Sequence, residues 1–269
     1  MKKLRSNRVN KNDKFDSGST KRFGYEWSKY HEIIPEYEGQ FLKWVFPLKK
    51  KDFIGKKILD AGCGTGRNSF WPLTYGAKEV FAFDYSRETV KVAKKNLSKF
   101  KNVKVSFNSI YDLDIKNKFD IVLSIGVIHH LEKPHLAIQR LVDSVKKNGV
   151  VLIWVYGYEG NEWIVDYINP IRRITSKLPL RVTNLISSFF SIILYCYLKI
   201  FSQKHIYLKQ LSKFRFWHIH SIIFDQLIPK IANYWKKEEV LKLFEGKNLK
   251  NINIYKVNNN SWTIIGVKK

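Results

Sequence analysis

The chain has 269 residues with 48 Lys and Arg against 23 Asp and Glu, a formal net charge of +25. That length suits one α/β domain with additions and a full core, and two cysteines, Cys63 and Cys196, give no disulfide framework and no metal-ligand spacing. The charge invites a nucleic-acid partner, yet 38 of the cations are lysines, and arginine is the residue that reads phosphate bidentately. Composition therefore supports adhesion to something anionic, with membrane surface and RNA both open. The basic N-terminus is followed by no apolar stretch, so it does not read as a signal peptide, and the cysteine usage fits a reducing cytoplasm.

In chain order, residues 1–22 are polar and basic and read as a disordered arm. Phe23-Gly24-Tyr25-Glu26-Trp27 opens the ordered part, and a helix is predicted over 36–46. Strands at 57–61, 79–84, 103–107, 119–125 and 149–156 then alternate with helices at 67–75, 86–99 and 134–147. Ser86 supplies an N-cap for the second of these, with Thr89 where a full capping box has Glu. Such alternation implies a parallel sheet covered on both faces. Residues 157–233 break the pattern, and 234–269 restore it with a helix over 236–246 and strands near 251–256 and 262–267.

Inside the interrupting segment, Val182 to Leu198 carries no charge. Asn184, Ser187, Ser188, Ser191 and Tyr195 recur there at helical spacing, a narrow polar stripe on an apolar helix. This stretch sits at the short limit for a membrane span. Arg172, Arg173, Lys177 and Arg181 precede it, and Lys199, Lys204, Lys209, Lys213 and Arg215 follow. The pattern suits a lid over the core, a helix lying in an anionic membrane interface, or both at once.

Asp60-Ala61-Gly62-Cys63-Gly64-Thr65-Gly66 stands between the strand at 57–61 and the next helix, where doubly wound folds bind nucleotides. The spacing is one residue shorter than the dinucleotide fingerprint. Asp60 lies where a carboxylate reaches a ligand's amine, and Asp84 ends the next strand, about where such folds grip ribose hydroxyls.

These residues resemble the class I, seven-strand S-adenosylmethionine-dependent methyltransferases, among them the type 11-like members. The likeness continues through Phe119 to Leu131, similar to the family's fourth strand and its sequel, and through Lys146 to Ile153, similar to the turn into strand five. It implies a doubly wound, Rossmann-like α/β fold. The seven strands would be mostly parallel with an antiparallel C-terminal hairpin, in a core over 23–156 completed by 234–269. Residues 157–233 become a helical substrate or lid insertion. The resemblance implies S-adenosylmethionine as cofactor. Asp60 and the loop Gly62, Cys63, Gly64 and Gly66 would hold its amino-acid end, Asp84 its ribose, and Ser109 and Ile110 the adenine; Tyr85 packs on the adenine or is an ordinary packing aromatic, and Ile125 is a further cofactor-binding candidate. The family often has Asp where this chain has Ser109, which accepts a hydrogen bond without the charge.

His129 and His130 follow the fourth strand and are the candidates for a general base; no metal site is expected. Tyr156, Glu159, Asn161, His220 and Asp225 are candidates for the acceptor side, and His218/His220 read as one face of a strand. The expected activity is methyl transfer to oxygen of a small or lipid-linked acceptor at or near an anionic membrane surface, with nucleic acid disfavoured. RNA or protein methylation and a non-catalytic binding module stay open as alternatives, and the sequence says nothing of oligomeric state.

Overall fold

In the computed structural model the described residues are 17–29, 32–202 and 206–269. Seven strands form one sheet: β1 (Lys57–Ala61), β2 (Glu79–Asp84), β3 (Val103–Phe107), β4 (Phe119–Ile125), β5 (Val145–Tyr156), β6 (Leu249–Val257) and β7 (Ser261–Lys268). Their order is β3-β2-β1-β4-β5-β7-β6. All neighbours among β1 to β5 run parallel, and β7 is antiparallel to both β5 and β6. The fold is therefore the doubly wound, Rossmann-like sheet with an antiparallel C-terminal hairpin.

Both faces are buried, which is why the strands read as unbroken apolar runs rather than alternating ones. On one face Leu59, Phe119 and Val122 pack with Ile138 and Leu141 of α5 (Pro134–Ser144) and with Phe244, which follows α10 (Lys237–Lys242). On the other, Ile58, Leu123 and Leu152 pack with Phe41 and Trp44 of α2 (Glu36–Trp44) and Trp71 of α3 (Arg67–Thr74). Asp120 locks the central register by accepting from Lys57 N and Lys146 Nζ, both at 2.7 Å. Helix α4 (Arg87–Asn96) starts at Ser86, whose hydroxyl accepts from Thr89 N at 3.2 Å.

Besides shifts of a few residues at several element ends, three differences from the sequence reading stand out. Helix α1 (Ser17–Lys29) takes in residues 17–22, which composition alone assigns to the arm; residues 1–16 lie outside the described residues. Helix α5 stops at Ser144, because β5 begins already at Val145, where Lys146 reaches Asp120. His218 and His220 lie on a helix, α9 (Phe216–Leu227), because Ile219, Phe224 and Leu227 are buried at helical rather than alternating spacing.

Residues 157–233 form a helical layer over the carboxyl ends of the strands. It comprises a π-helical turn at Ile164–Ile168, α6 (Asn169–Thr175), α7 (Leu180–Ile200), α8 (Ile206–Leu211) and α9. Arg172 ties the layer together by donating to Gln226 O at 2.5 Å, Asn169 Oδ1 at 2.6 Å and the Tyr234 hydroxyl at 3.0 Å. Helix α7 packs with its polar stripe inward. Thr183, Ser187 and Ser191 are buried, and the hydroxyls of Ser187 and Ser191 return to the carbonyls four residues earlier. Leu185 is 70% exposed, Phe189 63% and Ile200 72%. Among the described residues α7 is the one helix long and apolar enough to cross a membrane.

Candidate active site

The glycine loop follows β1 directly, with Gly62, Gly64 and Gly66 at φ of 80°, 53° and 82°, a region that side chains avoid. The first two glycines meet different demands. A Cβ on Gly62 would stand 2.4 Å from Val127 Cγ2, so the loop is pressed against the segment after β4. A Cβ on Gly64 would meet only Trp27 Nε1, at 3.9 Å, and would project into open space. Asp84 braces the loop, accepting from Gly64 N at 3.0 Å and from Ser86 N at 2.9 Å.

Asp60 is 1% exposed. Its Oδ2 accepts from Ser69 Oγ at 2.6 Å, and its Oδ1 is buried without a partner. Burial pushes its carboxyl up to about 7 against the pull of Ser69, and the nearby Asp84 adds to the rise. A buried acceptor with no donor, at the strand end that leads into the loop lining the cavity, is what a bound amine requires. The residues present thus suit S-adenosylmethionine. Cys63 is buried in the same loop, and burial first, then Asp60 and Asp84, hold it as a neutral thiol. Beyond β2, Tyr85 stacks on Phe107 with centroids 5.4 Å apart. Ile110 and Ile125 are buried and line the cavity. Ser109 accepts from Tyr111 N at 3.2 Å and thereby caps the short turn Ile110–Asp112.

One cavity of about 1210 Å³ runs from this loop under α1 and α9 to Phe190, Leu194 and Tyr197 of α7. His130, Tyr156, Asn161 and Asp225 line it; His129, Glu159 and His220 do not. His129 is fully buried, its ring stacked on Tyr156 at 3.8 Å and its Nδ1 3.4 Å from Tyr156 N. Glu159 accepts from Lys237 N and Trp262 Nε1, both at 3.2 Å, away from the cavity. His220 turns inward to Ser188 Oγ at 3.1 Å, while His218, two residues earlier on the helix, faces the cavity instead. Asn161 spends its amide on the carbonyls of Gly157 and Asn260, at 2.8 and 2.6 Å.

His130 Nδ1 stands 2.7 Å from Ile231 O, which places the proton on Nδ1 and leaves Nε2 as the basic atom. Burial lowers its pKa to about 4, against the pull of the Ile231 carbonyl. Lining residues absent from the sequence reading of the site include Glu26 and Trp27 of α1, Tyr37 of α2 and Arg67 of α3. The Arg67 guanidinium lies 4.5 Å from the Tyr37 ring centre and 5.5 Å from that of Trp44. An acid set between Tyr25 and Trp27, and an arginine directly after the glycine loop, were the available signals.

A glycine loop at the carboxyl end of β1, an acid at the end of β2 and a reversed last strand define the class I methyltransferase fold. Residues 53–167 match the family model described as a methyltransferase domain. Over that stretch the chain is similar to methyltransferase domains, on a sheet of the class I order, and the buried, donor-free Asp60 Oδ1 next to the glycine loop suits S-adenosylmethionine as cofactor. The mitochondrial ubiquinone biosynthesis O-methyltransferase of Schizosaccharomyces pombe is 34% identical over 117 residues, covering 42% of each chain. The tRNA U34 carboxymethyltransferase of Alteromonas mediterranea is 28% identical over 118 residues, 41% of this chain and 36% of its own. A solved S-adenosylmethionine-dependent methyltransferase from Aquifex aeolicus shares the fold. It is 16% identical, with a TM-score of 0.55 over 91% of this chain and 98% of its own. The chain spans between 32% and 58% of the length of the curated relatives it matches.

Proposed function

We propose that the protein methylates an oxygen of a small or lipid-linked acceptor, working at an anionic membrane surface. One observation carries this reading: a single cavity joins the glycine loop to the apolar helix α7, whose outward face is itself apolar. Bound S-adenosylmethionine supplies a methyl carbon activated by a sulfonium. Asp60 Oδ1 would take its amine, Asp84 its ribose hydroxyls, and Tyr85, Ser109 and Ile110 its adenine side, with Ile125 also against the cofactor. The acceptor enters the other lobe, against Tyr156, His130 and Asp225. Its apolar part extends toward Phe190, Leu194 and Tyr197.

Exposed Arg173, Lys177, Arg181, Lys199, Lys213 and Arg215 flank the apolar face of α7 and suit anionic headgroups, at roughly 1 kcal/mol each near such a surface. Both cysteines are free, in keeping with a reducing, cytoplasmic setting for a peripheral enzyme. Three curated relatives named as ubiquinone biosynthesis O-methyltransferases favour oxygen as the acceptor atom. The competing reading, RNA as acceptor, draws on the +25 charge and on the tRNA enzyme among the relatives.

Tritiated methyl transfer into fractionated extract of the source cells separates the two. Label in the organic-soluble or small-molecule fraction is expected. Label confined to RNA or protein would overturn the proposal.

A further inference from the structure

Glu26 and Asp225 are acids for which the cofactor site has no use. They lie on α1 and α9, which pack together across the mouth of the cavity. Glu26 is 1% exposed, lines the cavity, and receives a hydrogen bond on neither carboxyl oxygen. Its carboxyl faces that of Asp225. Asp225 Oδ2 accepts from the Tyr156 hydroxyl at 3.1 Å, and the Tyr156 ring is held between His129 and Tyr234, at 3.8 and 5.3 Å. The charged neighbours are Arg67 from α3 and Arg172 from α6.

Two buried carboxyls set against each other cannot both ionise, so one proton belongs between them. Burial, then Asp225, drives Glu26 well above the usual carboxylate range, with Arg67 pulling the other way. Burial raises Asp225 as well, but Tyr156, Arg172 and Arg67 all favour its anion. Glu26 therefore keeps the proton and donates it to Asp225. The pair carries one negative charge, and with Arg67 beside it a cationic ligand gains little there. A neutral hydroxyl gains a strong acceptor.

We propose that Glu26 and Asp225 are a proton-sharing pair that binds the acceptor's hydroxyl and takes up its proton during transfer. This rests on the reading of the protein as an oxygen methyltransferase. The acceptor's O–H bond breaks and its proton passes to the pair. The oxygen's electrons form the bond to the methyl carbon, and the electrons of the broken carbon–sulfur bond stay on sulfur as a neutral thioether. His130 is a poor base at neutral pH, since burial holds it near 4.

Two measurements on the full chain test the pair. Infrared difference spectra at pH 8, without ligand, should show a neutral carboxylic acid band that disappears in Glu26→Gln and changes frequency in Asp225→Asn, where buried Glu26 keeps its proton but loses the carboxylate that accepts it. A band that survives in Glu26→Gln, is unchanged in Asp225→Asn, or is absent from the wild type, overturns proton sharing and the proposal with it. In the second, tritiated S-adenosylmethionine is supplied with the organic-soluble extract of the source cells. Each variant should lose about 10²- to 10⁴-fold in transfer rate while S-adenosylhomocysteine binds as tightly as before, and Glu26→Asp should regain part of the rate. Transfer at the wild-type rate by both variants overturns the proposal. A wild type that labels no fraction instead overturns the transfer reading, and the infrared band then decides by itself whether the two acids share a proton.

Discussion

Ser69 Oγ donates to Asp60 Oδ2 over 2.6 Å, while Asp60 Oδ1, equally buried, receives nothing. One oxygen of this carboxylate is held by the first turn of α3, and the other is buried without a donor behind the glycine loop. Burial raises its pKa to about 7 from an ordinary 3.8, with Asp84 adding to the rise and Ser69 opposing it.

The folded protein therefore keeps this proton over a range where the unfolded chain has released it. Stability should fall as pH rises from about 4 to about 7, by ~4 kcal/mol for this group alone. Cofactor binding, which gives the anion a partner, should tighten through the same interval. Calorimetry with S-adenosylhomocysteine at pH 6 and 8, in buffers of different ionisation enthalpy, would register the proton released. Asp60→Asn should remove the proton release and weaken binding about 10- to 100-fold, the worth of a hydrogen bond to a charged group.

His130 runs the other way. Its pKa falls to about 4, so the unfolded chain binds the proton first, and stability is lost as pH drops from about 6.5 to about 4. The effects of Asp60 and His130 oppose each other over that window, so wild-type melting alone will hide both. The comparison that reads them is thermal melting from pH 4.5 to 8 of wild type beside His130→Asn. The variant should lose less stability on acidification than the wild type.

The glycines of the loop are not equivalent. Gly62→Ala combines a positive φ with a Cβ 2.4 Å from Val127, and should cost about 1–3 kcal/mol or more in unfolding. Gly64→Ala has room for its methyl group, so its stability cost should be only about 1 kcal/mol. That methyl projects into the cavity, so the expected loss is in S-adenosylhomocysteine affinity. Urea melts and calorimetry on the two variants separate the outcomes.

Helix α7 makes a paired prediction. Wild type should co-sediment with anionic liposomes at low salt and release as salt shortens the Debye length to about 8 Å and below. Leu185→Glu with Phe189→Glu, on the exposed face, should abolish this with little change in stability. Ser187→Leu, on the buried stripe against α9, should instead destabilise by about 1–3 kcal/mol through overpacking. Indifference of the wild type to anionic liposomes would leave α7 as a lid alone.

The strand ends and the glycine loop were legible because their signals are local. The run of β1 into Gly62, Gly64 and Gly66, and of β2 into Asp84, is a short-range pattern fixed by backbone geometry. The polar stripe of α7 was legible as well, but not its direction. On a solvated helix the stripe would face out, and only the packing against α9 shows that it faces in. The histidines at 218 and 220 misled because two residues of spacing fit a strand as readily as a helix turn. Glu26 and Asp225 lie 199 positions apart in sequence, and nothing local relates them. Their encounter exists only once α1 and α9 close over the sheet.

Calorimetric titration with S-adenosylhomocysteine, on wild type and Asp84→Ala, addresses the central claim most directly. The account predicts one site in the wild type and at least a tenfold loss in the variant, since Asp84 both braces Gly64 N and would hold the ribose. No binding by the wild type, or equal binding by the two proteins, would contradict it.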